Sequence, residues 1–212
     1  MNWILVGIVL TTFVVLGSSR ITTRIKAVAI QGGLLSVLQF VARGSLFDIH
    51  GALLFGITFF IKTIIIPLLI FRSIRGISMR VDKEPKVSSH SLLLTLGLIT
   101  TISFLNINTF PLAVGATISS LLIPSALTTV LTGLLILVTK TKATNQIIGF
   151  LILENGVFTF GMTIVSEFPT IVEVGVLLDI LVGVFIMGIM IYQINRTFDD
   201  IDTKSLSLLG DA

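Results

Sequence analysis

Residues 51–71 read GALLFGITFFIKTIIIPLLIF, a run with a single charge, Lys62. An α-helix needs about 20 predominantly apolar residues to cross a hydrocarbon core of about 30 Å. The run shows none of the alternating polarity that a strand of an outer-membrane barrel requires. In lipid the backbone must satisfy its own hydrogen bonds, so a helix is the form this stretch predicts. Outward from it the same unit recurs, near 2–18, 27–43, 90–106, 113–138, 146–166 and 170–195, each run followed by a short charged or Gly/Pro-containing break. The expectation is an all-α, polytopic membrane protein of about seven transmembrane helices. Composition agrees: 54% of the 212 residues are hydrophobic, 12% are charged, and the mean hydropathy is +1.08. A soluble domain must keep its surface largely polar and could not hide so much apolar side chain. Pro67 and Pro124 fall inside spans, where they are expected to mark kinks or broken helices.

The placement of basic residues tests that count independently. One set of breaks holds Arg20, Arg24 and Lys26, then Arg72, Arg75, Arg80, Lys83 and Lys86, then Lys140 and Lys142, then the tail with Arg196 and Lys204. The opposite set holds only Arg43. Seven spans with the N-terminus outside and the C-terminus in the cytoplasm produce this bias, and an even number does not. The net charge of +3 therefore follows from topology. It does not point to nucleic acid, because the cations are spread over separate breaks without aromatic interleaving. The stretch 72–88 reads as a solvated loop or, alternatively, as an interfacial amphipathic segment. Trp3 and Tyr192 read as interface anchors. The opening MNW lacks a basic leader, so the first run is expected to be a retained helix. With no cysteine, disulfides, iron–sulfur clusters and cysteine-ligated zinc are excluded. No nucleotide-binding, hydrolase or zinc-protease motif is present either.

An ionisable group at the bilayer centre costs several kcal/mol on insertion scales, so each one calls for a role. Three lie near mid-depth: Lys62, Glu154 and Asp179. Glu154 stands in GFLILENGVFTFG, beside Asn155 and Gly156. Asp179 stands in GVLLDILVG, where Gly175 and Gly183 flank it at intervals of four and share its helix face. A carboxylate in such a setting can exchange a proton reversibly. Lys62 can do the same, or act as counter-charge to a carboxylate. Two roles stay open: a staple between helices and a proton relay. Glu167, Glu173, Asp48, His50 and His90 fall near span ends, where a solvated role is the ordinary one.

The stretches QIIGFLILENGVFTFG (Gln146–Gly161) and VEVGVLLDILVGVFIMGIMIYQINRTFDDIDTKSLSLL (Val172–Leu209) resemble component E of hydrogenase-4-type complexes, HyfE. SSRITTRIKAVAIQGGLLSVL and FFIKTIIIPLLIFRSIRG resemble the same family, so the likeness covers nearly the whole chain. The last three spans also resemble the NuoK subunit of complex I and the MrpC subunit of Mrp-type antiporters, with Glu154 and Asp179 matching the glutamates of their second and third helices. Asp for Glu at 179 shortens that reach by one methylene. The resemblance divides the chain into N-terminal spans over 1–110 and a NuoK-like three-helix bundle with a cytoplasmic tail over 111–212. It implies a subunit in the membrane arm of a complex-I-like assembly of the group 4 nickel–iron hydrogenase type, in a prokaryotic cytoplasmic membrane. This chain would hold no cofactor, and nickel–iron and iron–sulfur centres would sit in partner subunits. The implied partners are antiporter-like and NuoH-like membrane subunits and a peripheral hydrogenase-like arm. The acidic Asp199, Asp200 and Asp202 could dock against that arm or remain a solvated terminus.

Overall fold

The computed structural model describes residues 1–43, 49–75, 89–105 and 120–164, together with positions 175, 179, 182, 183, 186 and 188 of the last run. Among the described residues every regular element is helical. The helices are α1 (Asn2–Gly17), α2 (Ile21–Arg43), α3 (Ile49–Phe60), α4 (Ile66–Arg75), α5 (Ser89–Leu105), α6 (Leu122–Thr139) and α7 (Ala143–Ile164). A π turn, Ile61–Ile65, joins α3 to α4 without a break, so the apolar run 51–71 lies in one continuous helix over 49–75. The six positions of the last run are helical too. Asp48, Glu167, Glu173, Tyr192, the acidic tail and most of 72–88 lie outside the described residues, as do the side chains of His50 and His90.

Two boundaries differ from expectation, each for a local reason. Helix α2 starts six residues before position 27, because Arg24 is buried within its first turns rather than left in a solvated break. Helix α6 starts at Leu122 rather than near 113. Pro124 is its third residue, where a missing N–H costs nothing because first-turn donors have no partner inside the helix. Pro124 therefore opens a helix and does not kink one. Pro67 is the opposite case. Its ring would crowd the carbonyl four residues back in a regular helix. Here the preceding turn is widened, with the Ile66 N–H donating to the Ile61 carbonyl, five residues away.

Length and composition mark three stretches as able to cross a membrane: Ile21–Ala42, Phe55–Arg72 and Leu122–Thr139. The helices Asn2–Gly17 and Ser91–Leu105 are apolar but shorter. Their outward faces match. Trp3 is 87% exposed and Val138 85%, and Leu94, Leu98 and Leu105 also point away from the bundle. So large an apolar exterior suits contact with lipid chains rather than water.

The consecutive helices α1 and α2, and α6 and α7, run antiparallel, and glycines set the closest approaches. A Cβ added to Gly133 would lie 2.5 Å from the Leu153 backbone nitrogen, and one on Gly156 2.5 Å from that of Val130. No side chain fits there, so α6 and α7 touch backbone to backbone. Thr129 and Thr132, buried in α6, cost little because each hydroxyl donates to a carbonyl of its own helix.

The core has two parts. One cluster joins Val15, Leu16, Ile25, Val28, Ile66, Ile70, Leu92, Leu96, Ile136, Ile148, Leu151, Ile152, Val182 and Ile186. A smaller one joins Leu5, Ile8, Leu35, Leu38, Leu122, Phe158 and Met162. Chain direction places the first towards the end of the bundle where Arg24 lies, and the second towards the end where Trp3 lies. Between them, at mid-length of the helices, is a layer of polar side chains.

Candidate functional site

The polar layer is assembled one side chain at a time from five parts of the chain. Lys62 sits in the π turn and is 4% exposed. Gly32 of α2 lies directly opposite, where an added Cβ would come within 2.8 Å of the Lys62 Cβ and 3.2 Å of its carbonyl oxygen. The QGG sequence at 31–33 thus lets the lysine backbone press against α2. Glu154 projects from α7, held in place by the Gly133 and Gly156 contacts on either side of it. Asp179 comes from the last run, where an added Cβ on Gly175 would meet the Phe158 ring at 2.8 Å. That close approach is the one its flanking glycine predicts. Gly183, the other flank, makes only ordinary contact with Leu69 at 4.0 Å.

The three residues singled out in the sequence meet at one point. Lys62 Nζ donates to Glu154 Oε1 at 2.6 Å and stands 2.9 Å from Asp179 Oδ1. It donates as well to Asn155 Oδ1 at 3.2 Å, and the Phe158 ring centre lies 5.9 Å away. The layer continues beyond the lysine. Asn155 Nδ2 donates to Gln31 Oε1 at 3.2 Å, and Gln31 Nε2 donates to the Ile8 carbonyl at 3.3 Å. A single chain of hydrogen bonds therefore runs from the carboxylates through α7 and α2 to α1. Gln31 and its amide relay were not foreseen from the sequence. The available signal was an amide beside two glycines inside an apolar run.

The count of charges decides what this arrangement can do. Among the described residues Glu154 and Asp179 are the two carboxylates, at 2% and 1% exposure. One ammonium faces both. Glu154 Oε2 and both Asp179 oxygens accept no hydrogen bond; Asp179 Oδ1 is at ion-pair distance but off the bonding direction. A buried charge without a partner is costly enough that it is neutralised or compensated. Among the described residues one lysine balances one carboxylate, and the second calls for a further positive charge, which a proton or a small cation would supply. Among the described residues no group of three His, Asp or Glu side chains is placed to hold a metal ion.

A second polar contact ties the Arg24 end together. Arg24 Nε donates to the Ser18 carbonyl at 2.8 Å, and Nη1 donates to Asn145 Oδ1 at 2.8 Å. The guanidinium thereby joins the turn between α1 and α2 to the start of α7. Both segments carry exposed cations, Arg20 and Lys26 in the one and Lys142 in the other.

No protein-family profile matches the chain, and no solved structure matches it significantly. The chain is similar to an uncharacterized Mycobacterium tuberculosis protein, Rv0085, at 29% identity over 209 residues, covering 97% of this chain and 93% of that one.

Proposed function

We propose that this chain is a membrane-arm subunit of a complex-I-like, energy-converting assembly of the group 4 nickel–iron hydrogenase type. It contributes Glu154, Asp179 and Lys62 to redox-coupled translocation of protons or cations. The observation that carries the proposal is the meeting of one lysine with two carboxylates at mid-length of the helices, each side chain supplied by a different helix. A proton that binds the second carboxylate changes which oxygen the ammonium prefers, and so couples protonation to a side-chain movement. The energy scale suits the task, since moving one charge across 100 mV is worth about 2.3 kcal/mol.

On this proposal the chain crosses a prokaryotic cytoplasmic membrane seven times, from an outside N-terminus to a cytoplasmic C-terminus. The Arg24–Asn145 contact supports the alternation of spans, because it brings two of the breaks expected on one side to one end of the bundle. Redox chemistry belongs to nickel–iron and iron–sulfur centres in partner subunits. Antiporter-like and NuoH-like subunits extend the polar layer on either side, and a peripheral hydrogenase-like arm docks on the cytoplasmic face. The resemblance to MrpC keeps a subunit of a cation/proton antiporter as the second reading.

The test is redox-driven proton uptake in membrane vesicles, comparing wild type with Glu154→Gln and Asp179→Asn, after recovery of the assembled complex has been measured. Collapse of uptake with assembly intact is the expected result. Normal uptake in both variants would reduce the three residues to a staple between helices and leave the chain a scaffold. Uptake driven by a cation gradient, with no redox substrate, would favour the antiporter.

A further inference from the structure

Hydroxyls buried in a helix have a ready partner, the carbonyl three or four residues back. Nine threonines of the described residues use it: Thr11, Thr12, Thr95, Thr100, Thr101, Thr129, Thr132, Thr139 and Thr159. Four buried hydroxyls depart from that habit. Thr58, Thr63, Ser125 and Thr128 have no hydrogen-bond partner, and neither does the side-chain oxygen of Gln39. Thr58, Ser125 and Thr128 are at most 1% exposed and Gln39 is 4% exposed. A buried polar oxygen without a protein partner is a place for water, and such atoms are few in native structures.

Their distribution is one-sided. Thr63 is level with Lys62, beside Gly33. Thr58 lies one helical turn from Lys62 towards the Trp3 end. Gln39 lies eight residues beyond Gln31 in the same direction, about 12 Å along α2. Ser125 and Thr128 lie beyond the contact of Val130 with Gly156, again towards the Trp3 end. These orphaned oxygens interrupt the Trp3 side, where the apolar cluster is the smaller of the two, whereas the larger cluster fills the Arg24 side. Among the described residues, no orphaned buried oxygen lies there.

We infer that the Lys62–Glu154–Asp179 layer is reached by water from one end of the bundle only, the end where α1 begins, past Gln39 and Thr58 on α2 and α3 and past Ser125 and Thr128 on α6. The inference rests on the proposed function for its purpose and adds a direction to it. Ions or protons exchange with the triad from the Trp3 side, and the larger apolar cluster seals the triad from the Arg24 side. Any passage to the opposite compartment then needs a second route through a neighbouring subunit or a rearrangement of that cluster.

The absence of cysteine makes the test clean. Single variants Thr58→Cys, Ser125→Cys and Thr128→Cys are made in the full chain within its native membrane, with Ile148→Cys and Leu96→Cys as sealed-side controls. Silver ion, comparable to water in size and specific for thiols, is applied to one face of the membrane at a time. The protein is then denatured, and the remaining thiols are counted with a maleimide dye. The expected outcome is protection at positions 58, 125 and 128 from the face bearing the start of α1, on the order of tenfold faster than at 148 or 96, because thiols in apolar surroundings are inert. Protection from the other face, or none at the three positions, overturns the inference. For any cysteine variant that fails to assemble, the paired change Thr58→Val and Thr128→Val replaces it. Slowed proton uptake that Thr58→Ser and Thr128→Ser restore is then expected, and wild-type uptake in the valine pair overturns the route. The two ideas fail separately. Normal uptake in Glu154→Gln and Asp179→Asn removes the transport role and leaves the labelling pattern standing. A uniform labelling pattern with dead carboxylate variants removes only the one-sided route.

Discussion

Gly32→Ala is the smallest change that interrogates the site, because it adds one methyl group 2.8 Å from the Lys62 Cβ. Carbon atoms rest at about 3.5–4.0 Å, so the two helices must part or slide by about 0.7 Å. A flexible side-chain tip could absorb that, but the atoms in the way are the Lys62 Cβ, carbonyl carbon and carbonyl oxygen. The π turn itself has to move. Overpacking of this kind costs about 1–3 kcal/mol. The same shift strains the ammonium contacts, and a Glu154 distance of 2.6 Å lengthened by that amount becomes a long, weakened hydrogen bond. The assay is twofold: thermal melting of the solubilised complex and redox-driven proton uptake in vesicles. Gly32→Ala should lower both. Gly33→Ala faces only side-chain atoms, the nearest being the Thr63 hydroxyl at 3.3 Å, and should be milder. Gly56→Ala meets nothing within 4 Å and should be neutral or slightly stabilising. If Gly32→Ala melts and transports like Gly56→Ala, α2 does not fix the lysine and the packing argument fails.

Four further variants address the lysine and the glycines elsewhere in the bundle. Lys62→Met leaves two carboxyl groups and the Asn155 oxygen without their cation, and should destabilise the chain by about 3–5 kcal/mol, read as lost yield and a lower melting temperature. Lys62→Arg should not rescue it, because a planar guanidinium does not fit a pocket that holds a lysine backbone against Gly32. Gly156→Ala drives a methyl into the backbone of α6 and should impair assembly more than Gly32→Ala does. Gly97→Ala, with open space around it, should leave the recovery of the assembled complex unchanged.

Much of this was readable in the chain because membrane helices write their limits in apolar length. Every described residue of the 90–106 run is helical in α5, and the stretch around Lys62 is the continuous helix its composition implied. The start of α6 was misplaced because hydropathy does not distinguish a proline that opens a helix from one that bends it. The three ionisable residues were identifiable singly, since each breaks an apolar run. A pairing of Lys62 with one carboxylate was among the open readings, but its meeting with both was not, because that depends on contacts between positions 92 and 117 residues apart, as the numbers of Lys62, Glu154 and Asp179 give. Gln31 escaped notice because an uncharged amide barely disturbs hydropathy. The π turn escaped as well, since its cause, Pro67 meeting a close helix contact at Gly32, is shared between two helices.

The separation of the three partners along the chain also bears on biogenesis. Helices enter a membrane in order of synthesis, so Lys62 arrives 92 residues before Glu154 and 117 before Asp179. At about 5–20 residues per second, the ammonium waits roughly 5–25 seconds for its counter-charges. During that interval the helix over 49–75 carries an unmatched cation and has reason to linger at the insertion machinery, where water is at hand. Closure of the ion triad is thus a late event of synthesis, joined by the packing of Val182 and Ile186 into the larger cluster, and a chain truncated before position 179 would present the cell with an unfinished charge pair as a mark of incompleteness.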